Sequence, residues 1–257
     1  MDVVVLSILA FGVSILTFFS GFGLGTILTP VFMIFFPPEL AIALTGVVHF
    51  FNNIFKLLLT GRHIDIRVAL RFGIPAVLAA IVGSMLMLRL TKLPALFTYT
   101  ISDATFEVHP IKLLVAVLLI IFAGIELIPY FKKLQFGPEK LPLGGALSGF
   151  FGGLTGNQGA LRSAFLIKAG LSKEAFIGTA VAVSTLVDFT RLGVYSTRFA
   201  QTGLQENIPL VSIVTLSAIA GAYVGNKLLK KVTLQFLQVT VAILLIVVSI
   251  ALGAGWI

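Results

Sequence analysis

The sequence predicts an all-α polytopic membrane protein built from two homologous halves. Three observations carry that prediction. Hydrophobic residues fill 58% of the 257 positions, charged residues only 11%, and mean hydropathy is +1.10. A typical soluble domain is about 45–50% apolar and about 25% charged, and folding at this size buries only about 70–75% of the chain surface. Lipid must therefore solvate much of this chain. Second, the apolar runs are continuous: positions 3–38, 141–161, 207–226 and 232–257 hold no charged side chain. This argues against a transmembrane β-barrel, whose strands alternate. Third, each run is near or above the roughly 20 residues that span a bilayer core. A soluble enzyme, a disordered tail and a disulfide scaffold are excluded.

Eight apolar blocks follow in order: 3–36, 40–60, 68–88, 111–131, 143–169, 175–195, 208–229 and 232–257. All should be helical, because an open backbone finds no partner in lipid. Block one is too long for one span. Its 34 residues would extend about 51 Å as a helix, against a hydrocarbon core of about 30 Å. Ser20, Gly21, Gly23 and Gly25 crowd its centre, and each helical glycine costs roughly 1 kcal/mol. A break is expected there. Block five should break similarly, near 152–159, leaving two short arms. The longest polar connection, 89–112, reads as a loop. Residues 1–20 lack the basic start of a signal peptide, and the apolar run continues past them.

The halves look duplicated, with 1–137 the first membrane repeat and 138–257 the second. Gly21-Phe22-Gly23-Leu24-Gly25 marks the first, and the glycine-rich stretch 149–159 marks the second. Thr45 and Thr179 follow about one helix later, and Gly83-Ser84 and Gly225-Asn226 close each third block. Charge then chooses a topology. If every block crosses once, Lys and Arg divide evenly between the two sides. If blocks one and five are re-entrant hairpins, eleven fall on one side: Arg62, Arg67, Arg71, Lys132, Lys133, Lys140, Lys168, Lys173, Lys227, Lys230 and Lys231. Four remain opposite: Arg89, Lys92, Lys112 and Arg198. The positive-inside rule favours the second arrangement. It makes the halves an inverted repeat in the cytoplasmic (inner) membrane, with both termini extracytoplasmic. The +8 net charge is thereby explained without nucleic acid.

Ionisable residues inside apolar blocks are expensive and point to function. Lys56, Arg162 and Arg191 are such positions, joined by His49 and Asp188. Block two places His49, Asn52, Asn53 and Lys56 on one helix face, and block six does the same for Ser184, Asp188, Arg191 and Tyr195. Two polar stripes from inverted halves would meet where such carriers bind substrate. The glycine breaks add exposed backbone N–H groups at helix starts, which suit anions. Gly23, Gly25, Gly156 and Gly159 shape those breaks, and Asn157 and Gln158 add amide donors. Blander readings stand beside these. Asp188 and Arg191, three apart, also read as a self-neutralising pair. Lys56 could snorkel to the interface, and His49 could be a packing residue or a coupling and gating group. Gly221 and Gly225 read as close helix packing, and Glu126 as interfacial. Absent cysteine removes thiolate metal sites and Cys nucleophiles. No HExxH, GxSxG or Walker A motif is present, so neither an enzyme, a cofactor nor a metal is expected.

The segment Ser20-Gly21-Phe22-Gly23-Leu24-Gly25-Thr26-Ile27-Leu28-Thr29-Pro30, with Ala43-Leu44-Thr45 after a Pro37-Pro38 turn, resembles the first signature of the TauE/SafE sulfite exporter family. Residues 149–159 with Gly178-Thr179 resemble the second. The second departs from the usual glycine pair and proline, reading Gly156-Asn157-Gln158-Gly159-Ala160-Leu161-Arg162-Ser163. The added arginine favours an anion. The resemblance implies a multi-pass carrier for a small sulfur-containing anion: sulfite, a sulfonate or a related organic acid. Lys56, Arg162, Arg191, Asn52, Asn53, Asn157, Gln158, Gly23, Gly25, Gly156 and Gly159 are the expected binding set, with His49 and Asp188 for coupling or gating. A proton or sodium gradient is the expected energy source, and a homodimer is compatible with the sequence. An anion channel and a membrane-embedded non-transport subunit are the alternatives.

Overall fold

The computed structural model describes residues 2–18, 23–128, 136–198, 203–228 and 234–256. Ser20 and Gly21 of the first break, Lys132, Lys133, Lys230, Lys231 and the side chain of Glu126 lie outside the described residues. Ten α-helices occur among the described residues. The first half holds α1 (Asp2–Thr17), α2 (Leu24–Phe35), α3 (Pro38–Thr60), α4 (Ile66–Leu90) and α5 (Pro110–Leu127). The second holds α6 (Leu141–Thr155), α7 (Gly159–Leu166), α8 (Lys173–Ser196), α9 (Ile208–Leu228) and α10 (Leu234–Gly253). Of these, α3, α4, α8 and α9 are long and apolar enough to cross a membrane.

Block five is a hairpin that returns to the face it entered. Helix α6 ends where Gly156 adopts φ +81°, a left-handed cap that glycine takes without a Cβ clash. Helix α7 then runs back alongside it. The Phe136 N–H donates to the Ala164 carbonyl at 3.4 Å, and the Phe136 and Phe165 rings stack at 4.3 Å. The Phe165 ring occupies the space that Gly144 leaves open. Block one divides in the same way, into α1 and α2. Helix α1 runs beside α9 in the same direction, with Phe11 at Gly221 and Ile15 at Gly225. Helix α2 runs antiparallel to α3, its start against Thr45 and His49. The two breaks adjoin in the interior: a Cβ on Gly25 would lie 3.4 Å from the Gly156 carbonyl oxygen. The Thr29 hydroxyl also donates to the Thr155 carbonyl at 3.4 Å.

The glycines of block five do two different jobs. Gly152 and Gly153 were expected at the break, yet α6 continues through them to Thr155. Gly145, Gly149 and Gly153 recur every fourth residue, and so share one face of α6. A Cβ on any of them would strike a carbonyl oxygen of α4, from Phe72, Ala76 or Ala80 in turn. Small residues let backbones approach this closely. The turn itself is confined to Gly156, Asn157 and Gln158. Gly221 seats against the Phe11 carbonyl in the same manner.

The remaining contacts pair the halves. Helix α3 packs antiparallel on α8, with Gly46 beside Leu192 and Gly178 beside the Thr60 carbonyl. Helix α5 packs on α10, and α4 on α8. One face of the bundle carries Arg62, Asp65 and Lys173; the other carries Arg89, Arg198 and the end of α10. Segment 89–112 corrects the loop expectation. It contains an antiparallel hairpin, β1 (Phe97–Ile101) and β2 (Ala104–Val108). Its strands are rich in Phe, Thr and Tyr, which favour a pleated surface, and Tyr99 stacks on Phe106 at 5.4 Å. The Tyr99 hydroxyl donates to the Ala254 carbonyl at 2.6 Å, tying the hairpin to the end of α10.

Candidate functional site

Because α3 and α8 cross antiparallel, their polar stripes meet and then diverge toward opposite faces. The meeting point is Asp188, which is fully buried. Its Oδ2 accepts from Asn53 Nδ2 at 2.8 Å and lies 2.6 Å from His49 Nδ1. Its Oδ1 accepts from Arg191 Nε at 3.0 Å. Arg191 Nη2 lies 2.9 Å from the same oxygen, without hydrogen-bond alignment. A buried carboxylate needs partners of this kind, because desolvation of an unpaired ion costs several kcal/mol. Asp188 and Arg191 are therefore an ion pair, but embedded in a larger cluster rather than closed on themselves.

On one side of this cluster lies a cavity of about 60 Å³. At roughly 10–15 Å³ per water-sized position, it has room for an ion of a few heavy atoms. Its polar wall is Lys56, Arg162, His49, Asn53 and Ser184, and its apolar wall includes Phe18 and Phe176. Gly23 lies at its rim, where the His49 ring occupies the space a side chain would need. Arg162 donates through Nη1 to the Ser184 hydroxyl, and its Nε has no partner. Lys56 is only 6% exposed, and its ammonium sits 5.2 Å from the Phe18 ring centroid. It does not reach the interface, so the snorkelling reading fails. Among the described residues no carboxylate lines the cavity. Two cations thus face a small space whose walls are otherwise neutral. Much of the lining comes from the later turns of α3 and the first turns of α8, so the cavity lies on the Arg62 side of the cluster.

The opposite side of the cluster is closed. Arg191 is wholly buried between Gly46 and Gly156. The Tyr195 hydroxyl donates to the Gly153 carbonyl at 2.5 Å, and Ser84 donates to the same oxygen at 3.2 Å. Beyond them Arg198 Nη1 donates to the Leu88 carbonyl at 3.0 Å.

The expected binding set is therefore divided. Lys56, Arg162, Asn53, His49 and Gly23 reach the open cavity. Asp188 stands directly behind it. Arg191, Asn157, Gln158, Gly25, Gly156 and Gly159 do not line it. Asn52 turns toward α1, where Ser14 Oγ lies 3.5 Å from its Oδ1. Asn157 and Gly159 lie instead with Thr26 and Phe122, in a crevice too small for a water molecule. Phe18 and Phe176 were missed, because an aromatic wall residue looks like any core aromatic in sequence. Ser84 was noted only as a repeat marker; the small residue beside Gly83 carries no signal of its partner 69 positions away.

A family model for the sulfite exporter TauE/SafE matches residues 6–252, nearly the whole chain. No curated protein and no solved structure gives a match. With hairpin breaks, paired glycine motifs and a buried cationic cavity in place, the match is decisive: the chain belongs to the sulfite exporter TauE/SafE family.

Proposed function

We propose that the protein is a secondary carrier that moves a small sulfur-containing oxyanion across the cytoplasmic membrane by alternating access. Membership in a family of membrane exporters supports transport rather than catalysis. The single observation that carries the finer reading is the cavity: Lys56 and Arg162 face it together, and no lining carboxylate neutralises them. Buried cations left without a counter-ion are costly, and a small anion completes them. The Arg162 guanidinium can offer two parallel N–H donors to sulfite or sulfonate oxygens, with Asn53 and Ser184 as neutral partners. Aromatic walls at Phe18 and Phe176 suit the short carbon stem of an organic sulfonate.

The packing supports reading 1–137 and 138–257 as related halves. The first arm of each half packs on the second long helix of the other, α1 on α9 and α6 on α4. Corresponding helices pair directly, α3 with α8 and α5 with α10. Basic residues Arg62, Arg67, Arg71, Lys140, Lys168 and Lys173 favour a cytoplasmic Arg62 face, so the open cavity faces the cytoplasm. His49, bonded to Asp188 and lining the cavity, is the proposed coupling group, driven by a proton or sodium gradient. The sealed Arg89 side favours a carrier over an open anion channel.

The test is binding and flux together. Sulfite, taurine and sulfoacetate are expected to raise the apparent Tm of the purified protein, since a ligand at 100 times its Kd adds about 2.7 kcal/mol. Chloride and acetate are expected to do less. Arg162→Ala should abolish both the shift and uptake into proteoliposomes while expressing normally. Unchanged uptake by Arg162→Ala would remove the cavity from the transport path.

A further inference from the structure

The open cavity has a closed counterpart. Asn53 and Asp188, which bond to each other, are 135 positions apart. The same step relates Gly23 to Gln158, His49 to Ser184 and Lys56 to Arg191. Taken in reverse, it relates the cavity residues Ala180 and Val181 to Thr45 and Gly46. Since α3 and α8 are antiparallel, the step exchanges the two sides of the Asn53–Asp188 bond. It maps Gly23, Lys56, Ala180 and Val181 of the open cavity onto Gln158, Arg191, Thr45 and Gly46, which do not line it, while His49 and Ser184 both line the open cavity.

Gly46, next to Thr45, and Gly156 close around Arg191, while the Gln158 side chain packs beside Gly152 and Val187, one helical turn before Gly156 and Arg191. A Cβ on Gly156 would lie 2.8 Å from Arg191 Nη1, and one on Gly46 would lie 3.6 Å from its Cζ. A Cβ on Gly25 would lie 3.6 Å from Thr45 Cγ2 and 3.4 Å from the Gly156 carbonyl. Several of the polar atoms are unsatisfied. Arg191 Nη1, both polar atoms of the Gln158 side chain, and Thr45 Oγ1 are buried without a hydrogen-bond partner, while Arg191 Nη2 lies 2.9 Å from Asp188 Oδ1. Arg191 and Thr45 are 0% exposed and Gln158 is 1% exposed. Native interiors leave few such groups, and each one asks for an explanation. Asp188 accounts for Arg191 Nε and Nη2, but nothing accounts for Nη1. That guanidinium edge, a primary amide and a hydroxyl provide donors of the kind that a tetrahedral or pyramidal oxyanion accepts.

We infer that Arg191, Gln158 and Thr45 form a second site for the same small oxyanion, collapsed in this conformation and formed when the Arg89 side opens. This rests on the carrier reading above. Asp188 links the two sites, with Oδ2 toward His49 and Asn53 and Oδ1 toward Arg191. Its carboxylate holds Arg191 until an anion arriving from the Lys56 side takes its place on the guanidinium. The cations of the two halves then act in turn.

The natural absence of cysteine makes the test direct. In proteoliposomes of the full chain, Gln158→Cys is the sole thiol. A membrane-impermeant methanethiosulfonate is expected to label it from the Arg89 face and not from the Arg62 face. Saturating taurine or sulfoacetate, whichever the wild type transports, should slow that labelling at least threefold; sulfite is left out of this arm because it consumes the methanethiosulfonate itself. Arg191→Gln should lower transport at least 100-fold while the anion-induced Tm shift, which reports the open cavity, persists. Arg191→Lys should recover at least tenfold of the lost rate. Failure of Gln158→Cys to label from the Arg89 face overturns the second site, as does wild-type transport by Arg191→Gln. If Arg191→Gln does not fold, the labelling result decides. If the wild type neither binds nor transports any of these anions, the carrier reading fails and the second site falls with it. If the wild type transports normally and only the Arg191 and Gln158 expectations fail, the second site falls alone.

Discussion

Lys56 on α3 and Arg191 on α8 stand at matching places in the proposed repeat, and the molecule treats them oppositely. Lys56 faces an open cavity with Arg162 beside it and no carboxylate on the wall. Arg191 is sealed between two glycines and bound through Nε to Asp188. The difference teaches what a cation inside an apolar bundle requires. It is either held by a protein carboxylate or left waiting for a mobile anion, and this chain does both within one helix pair.

The largest expected effect comes from removing the carboxylate that separates the two cases. Asp188→Ala leaves Arg191 buried and unpaired, and breaking a buried pair costs about 3–5 kcal/mol. The apparent Tm in detergent should fall far more than it does for Lys56→Gln, whose position has no protein carboxylate to lose. Equal falls for the two variants would erase the distinction between a held and a waiting cation. A bound anion should partly restore Asp188→Ala, by replacing the missing charge.

Next in size is the seam that keeps the Arg89 side closed. Gly149→Val pushes a side chain onto the Ala76 carbonyl, and overpacking of this kind costs about 1–3 kcal/mol or more. Protease resistance of α4 and α6 should drop. Retained resistance would show that the α4–α6 contact is looser than its glycine spacing indicates. The smallest expected effect is Tyr195→Phe, which removes the hydrogen bond to the Gly153 carbonyl. A single hydrogen bond contributes about 1 kcal/mol. Fold and anion binding should persist, while a cysteine placed at Ser84 becomes more reactive from the Arg89 face. Unchanged reactivity would assign the closure to the Arg198–Leu88 contact instead.

Much of the architecture was legible before any coordinates. The break in block one followed from length against bilayer thickness, and that in block five from glycine content; the distribution of Lys and Arg adds the expectation that both blocks are re-entrant. The polar faces of α3 and α8 followed from helical spacing alone. Other features were not legible. The hairpin at 97–108 sits in a short polar connection, where its alternating Phe, Thr and Tyr pattern was outweighed by the helical blocks around it. Gly149 and Gly153 look identical to Gly156 in sequence. Only the approach of α4 makes the first two packing residues and leaves the last to turn the chain.

What the amino-acid sequence determined by itself was therefore the set of residues that cannot face lipid: His49, Asn53, Lys56, Arg162, Asp188 and Arg191. That follows from the cost of a charge in hydrocarbon, which depends on residue type and span and needs no fold. What only the tertiary structure decided was how those residues are divided. Whether a buried cation meets a carboxylate, a hydroxyl or an empty space depends on which helices cross, in which direction and how closely. Arg191 meets Asp188 on its own helix, while Arg162 meets Ser184 from another. That choice is made by long-range packing, where small shifts along an antiparallel pair exchange one partner for another.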